Sequence, residues 1–483
     1  MRQYLIILAI LVCTTTTTLA QEKWNLKTCV EYAMANNLTV SQSEIQAKIT
    51  ALTYKQSKLS QYPGLNFGGN SGFNSGSNQD PTTFSRVTEN YLSAGMQLQS
   101  SADIFNFFSK RYTIAANQWE LMAAVANVNK IKYDIALSTA NAYLQVLLVK
   151  QQEEIAAVQI KQTQFQLTNT RIMVDAGSLP ELNATQLEAQ LASDSSNYIS
   201  AKGNTIQSIL SLKSLMNIDA AQAFEVDTPP VESIPIEPIA DLQPDFVYQE
   251  ALKNQPQQLG NEFSLNAAQN NKAAAKASMY PKISAYGSLS SNYLYFKSRP
   301  IYSKVLSGYQ STGLVADAGS GVLYDVQSPV YTAGDIAGYI KPGSFSSQFT
   351  DNLRKSIGIN ISVPLFNGGN AKILYERSKL NLRSAQLQKD QDNLKLKQDI
   401  FQAYNAALIA LQKFNAGKKA VDANEKTFEY AGKRFNIGAL STFDLITSQN
   451  NLLRSKLEYS MNQFDYVFKM KVLEFYKGAG LKL

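Results

Sequence analysis

Apolar and polar residues along this chain follow two periods. In LSAGMQLQ, Leu92, Ala94, Met96 and Leu98 alternate with Ser93, Gly95, Gln97 and Gln99. In KSIGINISVP, Ile357, Ile359, Ile361 and Val363 alternate with Ser356, Gly358, Asn360 and Ser362. GLNFGGNSGF and KISAYGSLSSNYLY alternate more loosely. Period two over about ten residues, with one apolar and one small polar face, predicts β-strands of a soluble sandwich or of a membrane barrel. There are four such segments. Four strands cannot close a barrel, which needs at least about eight, and open sheet edges are not tolerated in lipid. If these strands span a membrane, several chains must share one barrel, and three chains would supply about twelve strands.

Elsewhere the period is helical. Between Trp24 and Gln61 there is neither proline nor glycine, and Leu26, Val30, Ala33 and Met34 recur at helical spacing. The segment ends at Tyr62-Pro63, where proline cannot continue a helix. Phe246 to Tyr280, again closed by a proline, reads the same way. Asn106 to Val174 predicts one helix of roughly 100 Å, with apolar residues at spacings of three and four (Leu121, Val125, Val128, then Leu144, Leu148, Ile155, Val158, Phe165). Lys132, Gln151 and Gln162 interrupt that seam, which suits a helix with one packed and one wet side. Asn367 to Asn436 repeats the pattern. Each long helix stops at a glycine, Gly177 in VDAGSLPELN and Gly438 in FNIGALSTFD, suited to a left-handed C-terminal cap. Ser178-x-x-Glu181 and Ser441-x-x-Asp444 resemble capping boxes for a returning helix, with Pro180 acceptable in its first turn. The chain is thus expected to turn at tips near 175–183 and 436–444, and to return as far as about Asn217 and Lys477.

Sliding the chain against itself reveals a duplication. AMANN at Ala33–Asn37 aligns with ALKNQ at Ala251–Gln255 at an offset of 218, which also pairs Glu44 with Glu262, Lys58 with Lys276 and Tyr62-Pro63 with Tyr280-Pro281. Farther on the offset is 261, pairing Phe105-Asn106 with Phe366-Asn367, Tyr143 with Tyr404, Gly177 with Gly438 and Leu191 with Leu452. The second copy therefore carries 43 extra residues, within a Gly-, Ser- and Tyr-rich tract at about 292–352 that reads as a long surface loop. The expected layout is a signal peptide at 1–20, a first repeat at 21–227, a proline-rich linker at 228–245 and a second repeat at 246–483.

Composition narrows the function. The N-terminus MRQYLIILAILVCTTTTTLAQEKW has a basic n-region at Arg2, an apolar core from Leu5 to Val12 and a small-residue site at Thr18-Leu19-Ala20, so export and cleavage before Gln21 are expected. Cys13 leaves a lipid anchor as an alternative, against which stands the bulk of Val12 before it. After cleavage Cys29 is the one remaining cysteine, which excludes an intrachain disulfide and reads as a small buried apolar residue. No run approaches the ~20 apolar residues of a membrane helix. The net charge is +7, or +6 without Arg2, and is spread rather than clustered, so no nucleic-acid partner is expected. With no histidine, Ser-His-Asp and Cys-His catalysis and the commonest zinc ligand are excluded. Walker, CxxC and HExxH motifs are absent. No catalytic residue, cofactor or metal site is assigned.

WNLKTCVEYAMANN after the leader, VPLFNGG leaving a strand, the glycine-centred tips and the duplication together resemble the TolC-like outer membrane efflux proteins over essentially the whole chain after the leader. The resemblance implies a mainly α fold with transmembrane β: a duplicated unit, four β-strands per chain in a trimeric twelve-stranded barrel, and long α-helical hairpins forming a periplasmic α-barrel. It also implies a homotrimer in the outer membrane, in contact with its lipid and extending into the periplasm, fed by an inner-membrane pump through a periplasmic adaptor that meets the hairpin tips. On that resemblance Asp444 matches a position of an aspartate ring at the periplasmic aperture, with Thr447 where a second aspartate can stand, and Asn183 and Gln186 as uncharged first-repeat equivalents. Phe435 and Leu440 stand where related channels place a closing tyrosine and arginine, so apolar packing would hold more of any gate. Asp444 equally reads as a helix cap. Gly177, Ser178 and Leu179, with Gly438, Ala439, Leu440 and Ser441, are the candidate adaptor-docking tips, on the expectation of an exposed leucine at each. Tyr62, Tyr280 and Phe366, at strand ends, fit core aromatics or a membrane-interface belt.

The function expected is export of small molecules such as drugs, toxic compounds or metals. One alternative is the outer channel of type I protein secretion. Another, of a different class, is an exported coiled-coil spacer or adhesin, which explains the helices and leader but not the four symmetrically placed strands.

Overall fold

The computed structural model describes residues 23–79, 86–231, 234–317, 319 and 321–478. The expected signal peptide, its cleavage site and Cys13 lie outside the described residues. Two compact units are present. One gathers the chain up to Lys55 with Thr113–Lys272 and the chain from Glu376 onward; the other comprises Gln56–Tyr112 and Ala273–Tyr375. Among the described residues, no helix is long and apolar enough to cross a membrane.

The first unit is helical. Each opening segment, read from the sequence as one helix, is in fact two: α1 (Leu26–Asn36) and α2 (Leu38–Leu59) in the first copy, α5 (Pro244–Asn254) and α6 (Pro256–Ala277) in the second. The breaks fall at equivalent positions, Asn37 and Gln255, and both side chains use their amides in the same way. Asn37 Nδ2 donates to the Leu215 carbonyl at 2.9 Å, and Gln255 Nε2 donates to those of Phe475 and Tyr476 at 2.9 and 3.1 Å. These are carbonyls at the C-terminal ends of the return helices α4 (Glu181–Leu215) and α9 (Thr442–Tyr476), where the regular helical ladder runs out; Phe475 O also accepts the Gly478 N–H at 3.0 Å. The long helices are α3 (Ser109–Asp175) and α8 (Asn370–Asn436), 67 residues each. The linker ends two residues earlier than expected, because Pro244 opens α5 at N1, where a missing N–H costs nothing. A 3-10 turn at Ile239–Asp241 precedes it.

The core of this unit is built twice from equivalent positions. Cys29 and Val247, Ala33 and Ala251, and Leu212 and Leu473 are all fully buried in their respective clusters. Burial pushes the Cys29 thiol up to about 12, so it is an inert apolar filler. Another equivalent pair, Lys213 and Glu474, uses opposite charges to hold the chain that follows the first return helix and the linker respectively. Buried Lys213 donates to the Ala220 and Gln222 carbonyls at 2.6 and 2.7 Å. Buried Glu474 accepts the Glu237 N–H at 2.7 Å and the Lys471 ammonium at 2.8 Å.

In the second unit, β1 (Gly64–Gln79), β2 (Arg86–Phe105), β3 (Lys282–Phe296) and β6 (Arg354–Ser362) form an antiparallel sheet in the order β1-β2-β3-β6. Three of the four exceed the expected ten residues, at 16, 20 and 15, so they outrun the hydrocarbon layer. The expected loop at 292–352 is not a loop. β3 continues to Phe296, and β4 (Arg299–Asp317) pairs with β5 (Leu323–Ile340) in a separate two-stranded ribbon, followed by the short helix α7 (Phe345–Asp351). Glycine and serine suggested a loop, but cross-strand pairs such as Leu306 with Tyr331 and Val305 with Thr332 favour pairing.

α7 completes an unfinished edge. β6 pairs with β3 only from Lys282 to Ser290. Beyond that, Gln348 of α7 imitates a strand: its Oε1 accepts the Leu294 N–H at 3.0 Å and its Nε2 donates to the Leu294 carbonyl at 2.9 Å. Asn352 donates to the Asn292 carbonyl at 2.8 Å.

Candidate functional site: the sheet face and the hairpin tips

Register turns the alternation of single strands into a continuous surface. Phe67 faces Leu98, which faces Leu289; Phe73 faces Leu92, which faces Tyr295; and Ile359 and Ile361 face Ala285 and Ile283. Paired residues share a face, so the apolar positions of all four strands lie on one side. That side is bare: Phe67 is 71 % exposed, Ile357 90 % and Ile359 66 %. The other side carries Asn66, Gln97, Gln99, Ser288, Ser356 and Asn360. Ser288 and Ser356 hydroxyls bond across it at 2.8 Å, and Tyr286 lies over Gly358, where an added Cβ would meet its hydroxyl at 2.6 Å. β1 and β6 each have a neighbour on one side only. A sheet that is apolar outside, polar inside and open at both edges suits a segment of a membrane barrel.

Leaving the sheet, the chain makes the same turn twice. The GG of VPLFNGG, Gly368 and Gly369, has φ of 67° and 80°. The equivalent residues of the first copy are Phe107 and Phe108, held at 48° and 65°, a region that strains any side chain. This pair delays the long helices, which begin at Ser109 and Asn370 rather than at Asn106 and Asn367. Phe107 stacks on Tyr280 at 4.8 Å, while Phe108, Tyr62 and Phe366 are exposed. The strand-end aromatics are therefore not core residues.

The tips belong to the helical unit. Gly177 and Gly438 have φ of 74° and 70°, the left-handed caps expected. Each tip closes with two backbone bonds in the Schellman pattern: Ser178 N–H to Met173 O and Gly177 N–H to Val174 O, both 2.8 Å, and Ala439 N–H to Arg434 O at 2.8 Å with Gly438 N–H to Phe435 O at 2.9 Å. The Ser441 cap is present, accepting the Asp444 N–H at 3.1 Å, while the Asp444 carboxylate accepts the Ser441 hydroxyl at 2.7 Å instead of the cap backbone. Ser178 does not cap α4; Pro180 occupies the N-cap without a side-chain bond, because proline directly before Glu181 moves the helix start.

The leucines are a correction. Leu179 and Leu440 are half-buried, packed with Phe428 against Phe435, Ala431 and Leu445. Leu179 of the first tip and Leu440 of the second both rest on this cluster of the second hairpin, which covers them. The fully exposed apolar residues there are the equivalent pair Leu182 and Phe443, together with Ile437. Asp444 and Thr447 are exposed one turn apart on α9, and Thr447 donates its hydroxyl to the Phe443 carbonyl at 2.8 Å. Asn183 and Gln186 are half-buried. Sequence reasoning missed a buried polar seam between the hairpins. In it Asp194 accepts from Thr163 at 2.6 Å and from Gln190 at 2.9 Å, and Gln449 donates to Thr163 at 2.9 Å. Scattered over three helices, it leaves no local signal.

Fold and surface together define an outer-membrane channel component. The profile of the outer membrane efflux protein family matches residues 30–217 and 332–470, and the chain belongs to that family, which places it in the outer membrane. Among its relatives is the outer membrane efflux protein BepC of Brucella suis biovar 1 (strain 1330), 20 % identical over 82 % of this chain and 73 % of BepC. The pyoverdine export outer membrane protein OpmQ of Pseudomonas aeruginosa is 25 % identical over 44 % of each chain. Crystal structures with the same fold include VceC of Vibrio cholerae (TM-score 0.72, 15 % identity, 95 % of this chain and 97 % of that one). Another is the CusC channel (TM-score 0.71, 17 % identity, 94 % and 92 %).

Proposed function

We propose that three copies of this chain pool their four-stranded sheets into a closed twelve-stranded barrel, and that the assembly exports small molecules from the periplasm to the exterior. An inner-membrane pump supplies the cargo through a periplasmic adaptor docked at the tips. The observation that carries this reading is the sheet itself: one bare apolar face, one small polar face and two open edges. Joining β1 of one copy to β6 of the next removes every edge. The relative OpmQ, a pyoverdine export protein, supports a small-molecule cargo over a polypeptide. The reading asks for no catalytic residue and no cofactor. The two repeats, expected at 21–227 and 246–483 and here joined by 228–243 with Pro244 opening the second, are the units of assembly.

At the periplasmic end, three copies of Asp444 on a threefold axis form a negative ring that favours cations. Phe435 and Leu440 pack the apolar wall beside it, with Thr447, Asn183 and Gln186 lining it. Gly177, Ser178, Leu179, Gly438, Ala439 and Ser441 shape the tips, and Leu182 and Phe443 supply the exposed apolar contact for the adaptor. The experiment is reconstitution in a planar bilayer together with complementation of a channel-deficient exporting strain. Discrete currents and restored efflux are expected; a protein that inserts, conducts nothing and restores nothing refutes the proposal.

A further inference from the structure

The short helix α7 has one side that the single chain leaves unused. It stands in the row of the fourth strand. β6 lies along β3 only as far as Ser290, and from there α7 takes its place: Gln348 bonds both backbone groups of Leu294, Asn352 donates to the Asn292 carbonyl, and the Phe349 carbonyl accepts the Ser291 hydroxyl at 2.8 Å. Phe345 packs edge-on against Tyr293 at 5.3 Å and stacks on Phe349 at 5.9 Å. Tyr293 pairs with Ala94, in the apolar row of β2, so these rings carry the outer face of the sheet beyond Arg354, where β6 begins.

The remaining flank is hydroxylic. Ser346 and Thr350 are one turn apart and share a side of the helix. Ser346 lies two residues from Gln348, about 200° round the axis, which turns that side away from β3. Both residues are exposed. The Thr350 hydroxyl donates to the Ser346 carbonyl at 3.0 Å and keeps its oxygen as an acceptor. Ser347 and Asp351 border the flank, also exposed, and bond each other at 2.9 Å. Hydroxyls both donate and accept, which matches a strand edge that offers N–H and C=O groups in alternation. Barrel closure supplies such an edge. β1 has 16 residues and β6 nine, so β6 of one copy leaves seven residues of the next copy's β1 without a strand. β6 ends at the root of the sheet and begins just after α7. Any register that keeps its nine residues within β1 therefore sets α7 beside the distal stretch FNSGSNQ, from Phe73 onward, which carries no charge.

We infer that α7 is a clasp on the seam between copies: its hydroxyl flank seats on the distal edge of the next copy's β1 and closes the part of the joint that β6 is too short to reach. The occupant of the free flank is thus a second copy of this chain. This rests on the trimer proposed above.

The test is made in the full chain with Cys13→Ser. Thr350→Cys is combined with Ser75→Cys or with Ser77→Cys, all at exposed positions, and treated with a short bismaleimide. Cys29 is buried and does not compete. β1 and the β6 row lie at opposite edges of one sheet, so a link within a chain leaves the mass unchanged, whereas links between copies give covalent dimers and trimers. Those products are expected from at least one of the two double variants and from no single variant. Thr350→Cys with Leu65→Cys, at the root of β1, should stay unlinked. Adding Gln348→Ala, which removes both bonds from α7 to Leu294, should lower the linked fraction about fivefold or more. Native mass of the unmodified protein separates the two readings. A detergent-stable monomer sinks the trimer. A trimer in which neither distal pair links sinks the clasp alone, as does linking by Thr350→Cys by itself, which would mean that α7 meets α7. Equal linking from Leu65→Cys, or linking indifferent to Gln348→Ala, also overturns the arrangement.

Discussion

Ile359 and Asn360 are neighbours in β6 with opposite fates in the proposed barrel. Ile359 faces Ala285 on the apolar side, next to the strand's midpoint, and is 66 % exposed; Asn360 faces Ser284 on the polar side. In a water-soluble sheet, Ile359→Lys would trade an exposed apolar side chain for a charged one at little cost, and solubility would improve. In a barrel wall the same lysine sits on the lipid face near mid-depth, where a charge costs about 2–4 kcal/mol. That is a shift of roughly 30- to 900-fold in the assembled fraction for each chain. Asn360→Lys points its charge into the aqueous lumen and should change stability by less than about 0.5 kcal/mol. The assay is quantitative outer-membrane fractionation with heat-modified gel mobility for both variants. Loss of assembled protein in Ile359→Lys alone is expected. Equal assembly of both variants, or loss confined to Asn360→Lys, refutes the assignment of faces.

Four other outcomes follow from the same geometry. Asn37→Ala and Gln255→Ala should each lower the stability of the helical unit by about 1–2 kcal/mol, since each removes the side-chain donor to the last carbonyl of a return helix, Leu215 and Tyr476; thermal denaturation of the purified protein should show similar losses for the two. Glu474→Ala should cost more, about 3–5 kcal/mol, because it removes the buried carboxylate paired with the Lys471 ammonium and the acceptor of the Glu237 N–H, whereas Glu474→Gln should recover part of the Glu237 bond. Asp444→Asn should weaken block by multivalent cations in single-channel recordings, and unchanged block would remove Asp444 from the aperture. Cys29 should resist maleimide in the folded protein. Its folded thiol stays protonated up to about 12 while an unfolded one ionises from about 8.5, so its contribution to stability is present below that range and is lost as pH rises through it.

Sequence and structure agree where local pattern decides. Ile357, Ile359 and Ile361 announce a strand and its apolar face because the period of two is a property of the backbone. Gly177 and Gly438 announce the tips because few other residues adopt their φ. The two offsets of the duplication, legible in the sequence, relate residues that the structure buries in equivalent places, Cys29 with Val247 and Leu212 with Leu473. What stayed hidden depends on distant neighbours. Nothing local says that Leu179 shelters, since the second hairpin provides its cover. Phe107 and Phe108 take a glycine conformation against their own preference, and only the Gly368-Gly369 equivalence could have exposed it. The ribbon was obscured because glycine and serine suggested a loop, whereas its pairing arises between residues up to about forty positions apart. The seam of Thr163, Asp194 and Gln449 joins three helices and has no periodic trace.

The account stands on the pooling of strands between copies. Its most direct test is the native mass of the wild-type protein extracted from outer membrane in mild detergent. A mass of three chains, surviving dilution, is the result predicted. A stable single chain, its β1 and β6 edges protected from amide exchange without any partner, would contradict it.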